Sequence, residues 1–312
     1  MQKNTVTHFL TPALLLLFVL LLDAFTGHAA ENQKVAMPEM FRVGFSSKLF
    51  SDVDQNDARI AMDLWAKELM KNTGIKGSPE AVIFDNLDEL LNAVKKGELS
   101  IVTLSALEYL QIRNNAPMMP AFVTESEGGI GHRYVLIANR ESGVRSVADL
   151  RNKSISLNSS KRTEASLVWL DVLILKAGYR DRLTYFSQIK KSTSSKSIMA
   201  VFFRQLDAAV IRRESLETSI MLNPQIGKQI AILAESESLA GGISCIPTNV
   251  DKKDKHIIES TAFHLHETTV GKQILTLFQT GRIIPFNQSF LDGTMELLQE
   301  RNELLTKQKR KP

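Results

Sequence analysis

The sequence is poor in the residues that staple a fold, bind a metal or activate a nucleophile. A single cysteine, Cys245, occurs in 312 residues, so no intrachain disulfide forms and an exported version of the chain depends on its hydrophobic core. Cys245 stands in an apolar run with no histidine beside it in sequence, the setting of a small buried hydrophobe. Aromatic residues make up 7% of the chain and only two are tryptophan; Trp65 and Trp169 occupy packing positions of helical segments. His264 and His266 are two apart, which points them to different faces of a helix and not at a shared metal. No GxSxG, HExxH, Walker loop, CxxC or dinucleotide glycine fingerprint occurs, which removes the enzyme classes those motifs mark. Asp52, Asp54 and Asn56 imitate the start of a calcium loop, but Asp57 stands where its glycine is needed and Asp63 where its bidentate glutamate is expected. No catalytic residue, cofactor or metal is expected.

Net charge is also scarce. The formal value is +4, and the excess sits at the C-terminal end, in Lys307, Lys309, Arg310 and Lys311. The body is electrically balanced, and with no groove-reading motif nucleic acid is not an expected partner. What is present is a globular composition, 44% hydrophobic and 23% charged, with length for two modest lobes. At the N-terminus Lys3, the apolar run Ala13–Leu22 and the small residues Gly27, Ala29 and Ala30 have the layout of a secretory signal peptide over residues 1–30. The run is shorter than the roughly 20 apolar residues of a membrane span and is bounded by Pro12 and Asp23. Export is expected, and an uncleaved anchor is the alternative.

Strand and helix patterns alternate along the remaining chain. FRVGF at 41–45, Ala81–Phe84, Leu99–Leu104, Met119–Val123 and YVLIA at 134–138 read as strands. Helical spacing lies between them, at Ile60–Met70 and Leu87–Lys96. This rhythm predicts βαβ units and largely parallel sheets. A second α/β run follows, with strands at Ser154–Leu157, Leu183–Phe186, Ala208–Ile211 and Gln229–Ala234, before a helical C-terminus. Glycine-rich breaks at Glu127–Gly131 and Gly241–Gly242 read as crossings between two lobes, residues 31–130 with 241–312 and residues 131–240. A cleft between such lobes is the expected ligand site.

The most informative stretch is Ser154–Gly178, a strand that runs through a polar loop into an apolar helix. Ser159, Ser160, Arg162 and Thr163 lie between them, where hydroxyls, a guanidinium and unpartnered first-turn N–H groups suit an anion. The same residues also fit an ordinary turn with Thr163 as N-cap. Ser46, Ser47 and Ser105 follow strand ends of the first lobe and face the cleft in this arrangement, although Ser105 reads equally as a helix cap. Arg212 follows the strand Ala208–Ile211 and is a further candidate.

With this architecture the chain resembles the phosphate/phosphite/phosphonate class of substrate-binding proteins that serve ABC importers. The resemblance runs from about Phe41 to Leu298. It is carried by FRVGFSS, YVLIANRESGVRSVADLRNKSISL, SLNSSKRTEASLVWLDVLILKAG and AVFFRQLDAAVIRRESLE followed by KQIAILAES. It implies a type II bilobal periplasmic-binding-protein fold, two α/β lobes joined by two crossing segments, and a non-catalytic role. It also implies capture of a small anion or zwitterion, a phosphonate- or phosphate-like oxyanion first, by a monomer that docks on an ABC permease. Family members carry a Ser-Thr-Ser signature in the second-lobe loop; here Thr163 matches it, with Arg162 and Glu164 in the flanking positions. Ser194 takes the position of a histidine common in the family. An alternative role is ligand input to a membrane sensor kinase or cyclase, and an enzyme on a related scaffold is a third.

Overall fold

Residues 134–139 show most directly how this sequence builds its sheets. All six are buried, with Tyr134, Leu136 and Ala138 in one hydrophobic cluster and Val135 and Ile137 in another. A run apolar on both faces belongs in the middle of a sheet covered on both sides. The computed structural model describes residues 40–49, 55–71, 78–126, 128–158, 164–278 and 280–309.

The first half contains β1 (Met40–Ser46), α1 (Gln55–Lys71), β2 (Ser78–Phe84), α2 (Leu87–Lys95), β3 (Ile101–Ser105), α3 (Ala106–Ile112), β4 (Met118–Ser126), β5 (Gly129–Ile130) and β6 (Tyr134–Asn139). Next come β7 (Ser154–Asn158), α4 (Glu164–Lys176), α5 (Arg182–Tyr185), β8 (Gln188–Ser192), α6 (Ser194–Phe202), β9 (Ala208–Arg212) and α7 (Arg213–Leu222). The chain ends with α8 (Pro224–Gln229), β10 (Ile230–Glu235), β11 (Gly242–Pro247), α9 (Lys252–Phe263), α10 (Thr269–Leu277), β12 (Arg282–Pro285) and α11 (Asp292–Lys309).

Among the described residues these strands form two sheets. One has the order β12-β4-β11-β3-β1-β2 with β5 on β4, and the other the order β10-β6-β9-β7-β8. β1 pairs in parallel with β2 and β3, and β7 with β8 and β9, as the βαβ rhythm predicts. The expectation of largely parallel sheets fails at the strands flanking the crossings. β11 runs antiparallel to β3 and β4, and β6 antiparallel to β9 and β10. A strand entered from the other lobe arrives without a covering crossover helix, so nothing turns it parallel.

A strand was also expected at Leu183–Phe186. Those residues instead form the single turn α5, capped by Asp181, whose Oδ1 accepts from Leu183 N at 2.8 Å, and the strand lies just beyond as β8. β8 is an edge strand with exposed Lys190 and Lys191, a composition that keeps an open edge from pairing with another chain.

Each sheet is covered on both faces. Phe41, Val43, Phe45 and Trp65 anchor one cluster on the first sheet, and Leu90, Val102, Leu104 and Tyr109 the other. Two segments connect the lobes and are hydrogen-bonded to each other. His132 N donates to Leu239 O at 2.8 Å, Leu239 N to His132 O at 3.0 Å, and Ser238 Oγ to Ile130 O at 2.6 Å. α11 begins against the first sheet's cluster at Met295 and runs onto the second lobe, where Leu297 and Leu304 join the cluster under α4. Lys176 pairs there with Glu300 at 2.8 Å. No helix among the described residues is long and apolar enough to cross a membrane; the run Ala13–Leu22 lies outside them.

Candidate functional site

A cavity of about 190 Å³ is lined by residues of both sheets, among them Thr103 and Ser105 of the first and Tyr134 and Arg212 of the second. On the first-lobe side its wall is organised by one buried carboxylate. Glu108, 3% exposed, sits in the first turn of α3, where Ser105 is the N-cap and the two form a reciprocal capping box. Its Oε2 accepts from Ser105 N at 3.0 Å and Ser105 Oγ at 2.9 Å, and its Oε1 from Ser46 Oγ at 2.9 Å. Ser46 Oγ in turn accepts from Lys48 N at 3.2 Å. One side chain therefore ties the end of β1, the turn after it and the start of α3. Replacing it removes an ionised acceptor from three donors, each such bond being worth about 1.5–3 kcal/mol gross of rearrangement. Glu108→Gln, which keeps the shape and part of the acceptor capacity, is expected to cost about 2 kcal/mol, read as a lower urea midpoint with an unchanged slope.

Lys48 reaches from this wall across the cavity. Its Nζ lies 3.0 and 3.2 Å from the carboxylate oxygens of Glu164, the first residue of α4 in the other lobe, and 3.7 Å from Glu108. Burial lowers the Lys48 pKa, but the hydrogen bond and charge of Glu164, helped by Glu108, outweigh it and hold the ammonium above its ordinary value. Opposite, Arg212 closes β9 and N-caps α7. Its Nε is shielded from solvent and finds no acceptor among the described residues; Glu214 Oε2, two residues on, is shielded and unpartnered there in the same way. Such groups are rare in native interiors and mark a position where water or a ligand completes the bonding. The rest of the lining mixes the hydrogen-bonded pair Thr103 and Ser244, 2.9 Å apart, with apolar Met62, Val123 and Ala165.

Of the nine residues singled out from sequence, Ser105 and Arg212 line this cavity. Ser46 and Ser47 are buried beside it, and the Ser46 and Ser105 hydroxyl protons are directed at Glu108. Ser194 opens α6 and accepts from Asn158 Nδ2 at 3.5 Å, away from the cavity lining. Ser159, Ser160, Arg162 and Thr163 lie outside the described residues. Sequence reasoning missed Lys48 and Glu108. The second had a readable signal, because Ser105-x-x-Glu108 ahead of an apolar run is the capping-box spacing.

The family model described as ABC transporter, phosphonate, periplasmic substrate-binding protein matches residues 49–290. Among solved structures, the chain is similar to a binding protein component of an ABC phosphonate transporter from Pseudomonas aeruginosa. That match has 15% identity, covers 86% of this chain and 88% of that one, and has a TM-score of 0.60. It is also similar to PhnD1 from Prochlorococcus marinus, solved in complex with methylphosphonate, at 15% identity over 85% and 99% of the chains and a TM-score of 0.59. A Xanthomonas citri protein solved with bound ATP matches at 12% identity over 86% and 99%, with a TM-score of 0.61.

Proposed function

The chain belongs to the periplasmic substrate-binding proteins of phosphonate ABC transporters, and from that premise we propose that it captures a small phosphonate-like oxyanion in the cavity between its lobes and presents it to an ABC permease. The observation that carries the reading is Arg212, a permanent cation at the cavity wall whose shielded Nε has no acceptor among the described residues. An anionic oxygen satisfies that donor with a charge-assisted bond, and the planar fork suits two oxygens of one phosphonate. Lys48 supplies a second positive charge from the facing lobe, while Met62, Val123 and Ala165 offer an apolar surface to the carbon substituent. The lobes of this reading are residues 31–130 with 241–312 and residues 131–240, and ligand binding to both walls favours the closed arrangement about the paired crossings. The polar stretch Ser159–Thr163 precedes α4 in sequence and adds hydroxyls to the same reading.

The test is a thermal-shift panel on residues 31–312 with methylphosphonate, phosphate, phosphite, sulfate, acetate and amino acids. A ligand at one hundred times its Kd stabilises by about 2.7 kcal/mol, which for a chain of this size raises Tm by roughly 5–10 °C. A rise confined to phosphorus oxyanions is expected. Folded protein whose Tm moves with none of them overturns the reading.

A further inference from the structure

The cavity already holds a negative charge of its own. Glu164 projects from the first turn of α4 in one lobe and meets Lys48 Nζ of the other lobe with both carboxylate oxygens, at 3.0 and 3.2 Å, and both residues line the cavity. We propose that Glu164 is a built-in anion that competes with the ligand's anionic group for Lys48, so that this pair sets a threshold that strongly charged oxyanions pass and holds the lobes together when no ligand is bound. The inference rests on the reading of the cavity as an anion site.

The geometry makes the exchange one-sided. Lys48 has a second anionic partner on its own side of the cavity, since Glu108 Oε1 stands 3.7 Å from its Nζ. Glu108 is itself 3% exposed and bound to Ser46 and Ser105, so it does not follow the lysine. Lys48 therefore remains in place when Glu164 leaves. The Glu164 side chain is 42% exposed and regains the rest of its hydration when it leaves the ammonium. An incoming oxyanion trades places with it on the ammonium and gains only the difference between its own attraction and that of a carboxylate. A doubly charged phosphonate wins that exchange, whereas a singly charged carboxylate gains almost nothing. A ligand that replaces the cross-lobe pair also has to bridge the same two walls, which couples occupancy to closure.

The experiment is a double-mutant cycle on the full mature chain, with calorimetry at pH 8 and methylphosphonate and acetate as probes. Glu164→Gln is expected to tighten methylphosphonate and acetate by a similar factor, about fivefold, because the displaced pair is the same for both. Lys48→Met is expected to weaken methylphosphonate by about tenfold, and on that background Glu164→Gln brings no further change through Lys48. Unchanged or weaker methylphosphonate binding in Glu164→Gln overturns the inference, and so does the same gain with and without Lys48. If neither wild type nor variants bind any phosphorus oxyanion, the site reading fails, and X-ray scattering of the ligand-free proteins then decides this inference alone. A larger radius of gyration in Glu164→Gln than in wild type supports the cross-lobe pair, and identical scattering overturns it.

Discussion

Gly131→Ala is expected to destabilise the protein by about 3 kcal/mol or more, lowering Tm by roughly 6–12 °C. Gly131 has φ +80°, and a Cβ placed there lies 2.4 Å from Leu239 O and 2.8 Å from Leu239 C. The left-handed backbone alone costs an alanine about 1 kcal/mol. The larger part is the clash with the backbone of the other crossing, because Leu239 O is the acceptor of His132 N at 2.8 Å and cannot retreat without breaking the pairing of the two connections. Gly129 supplies the control: it has φ +92° and nothing within 4 Å of a built Cβ. Gly129→Ala therefore carries the conformational cost without the collision, about 1 kcal/mol. The difference between the two variants, read from urea midpoints, isolates the contact between crossings. Equal effects show that the crossings do not approach this closely in solution.

The interior strands were legible because their apolar residues are continuous. β6 is buried at every position, and no other element satisfies such a run of six between turns. The strands that escaped are those whose identity depends on a distant partner. β8 reads Gln-Ile-Lys-Lys-Ser and carries no hydrophobic period, since only its pairing with β7 makes it a strand. β12 has four residues and ends in proline, and it exists by pairing with β4, Arg282 opposite Glu125.

The site divides along the same line. Ser105 as a cap is a local pattern and was readable, whereas Ser46 meets Glu108 across 62 residues and Lys48 meets Glu164 across 116. A lysine in sequence is a solvated charge until the fold puts carboxylates around it. Hydroxyls at strand ends were the natural guess for ligand donors, but a hydroxyl beside a buried carboxylate donates to the carboxylate first, because the ionised acceptor forms the stronger bond.

Arg212→Met is expected to reduce affinity for a phosphorus oxyanion by at least about thirtyfold, the equivalent of roughly 2 kcal/mol for a shielded charge contact, while leaving the ligand-free protein as stable as wild type or more so by about 1 kcal/mol. The two effects have opposite signs because Arg212 Nε is shielded and has no acceptor among the described residues. Methionine fills a similar length with no donor to satisfy, so a cost borne by the empty protein disappears together with the group that a ligand needs. Arg213 next to it shows the contrast. Its Nε donates to Glu217 at 2.9 Å and its guanidinium pairs with Glu235, so its charge is spent on the surface of the second lobe and cannot stand in for its neighbour. Arg212→Lys separates charge from geometry, since an ammonium retains the attraction without the fork and is expected to recover part of the loss. Calorimetry with methylphosphonate and urea unfolding of the same preparations supply both readouts. A variant that binds as wild type removes Arg212 from the site, and one that loses stability together with affinity makes it a structural residue whose effect on binding is indirect.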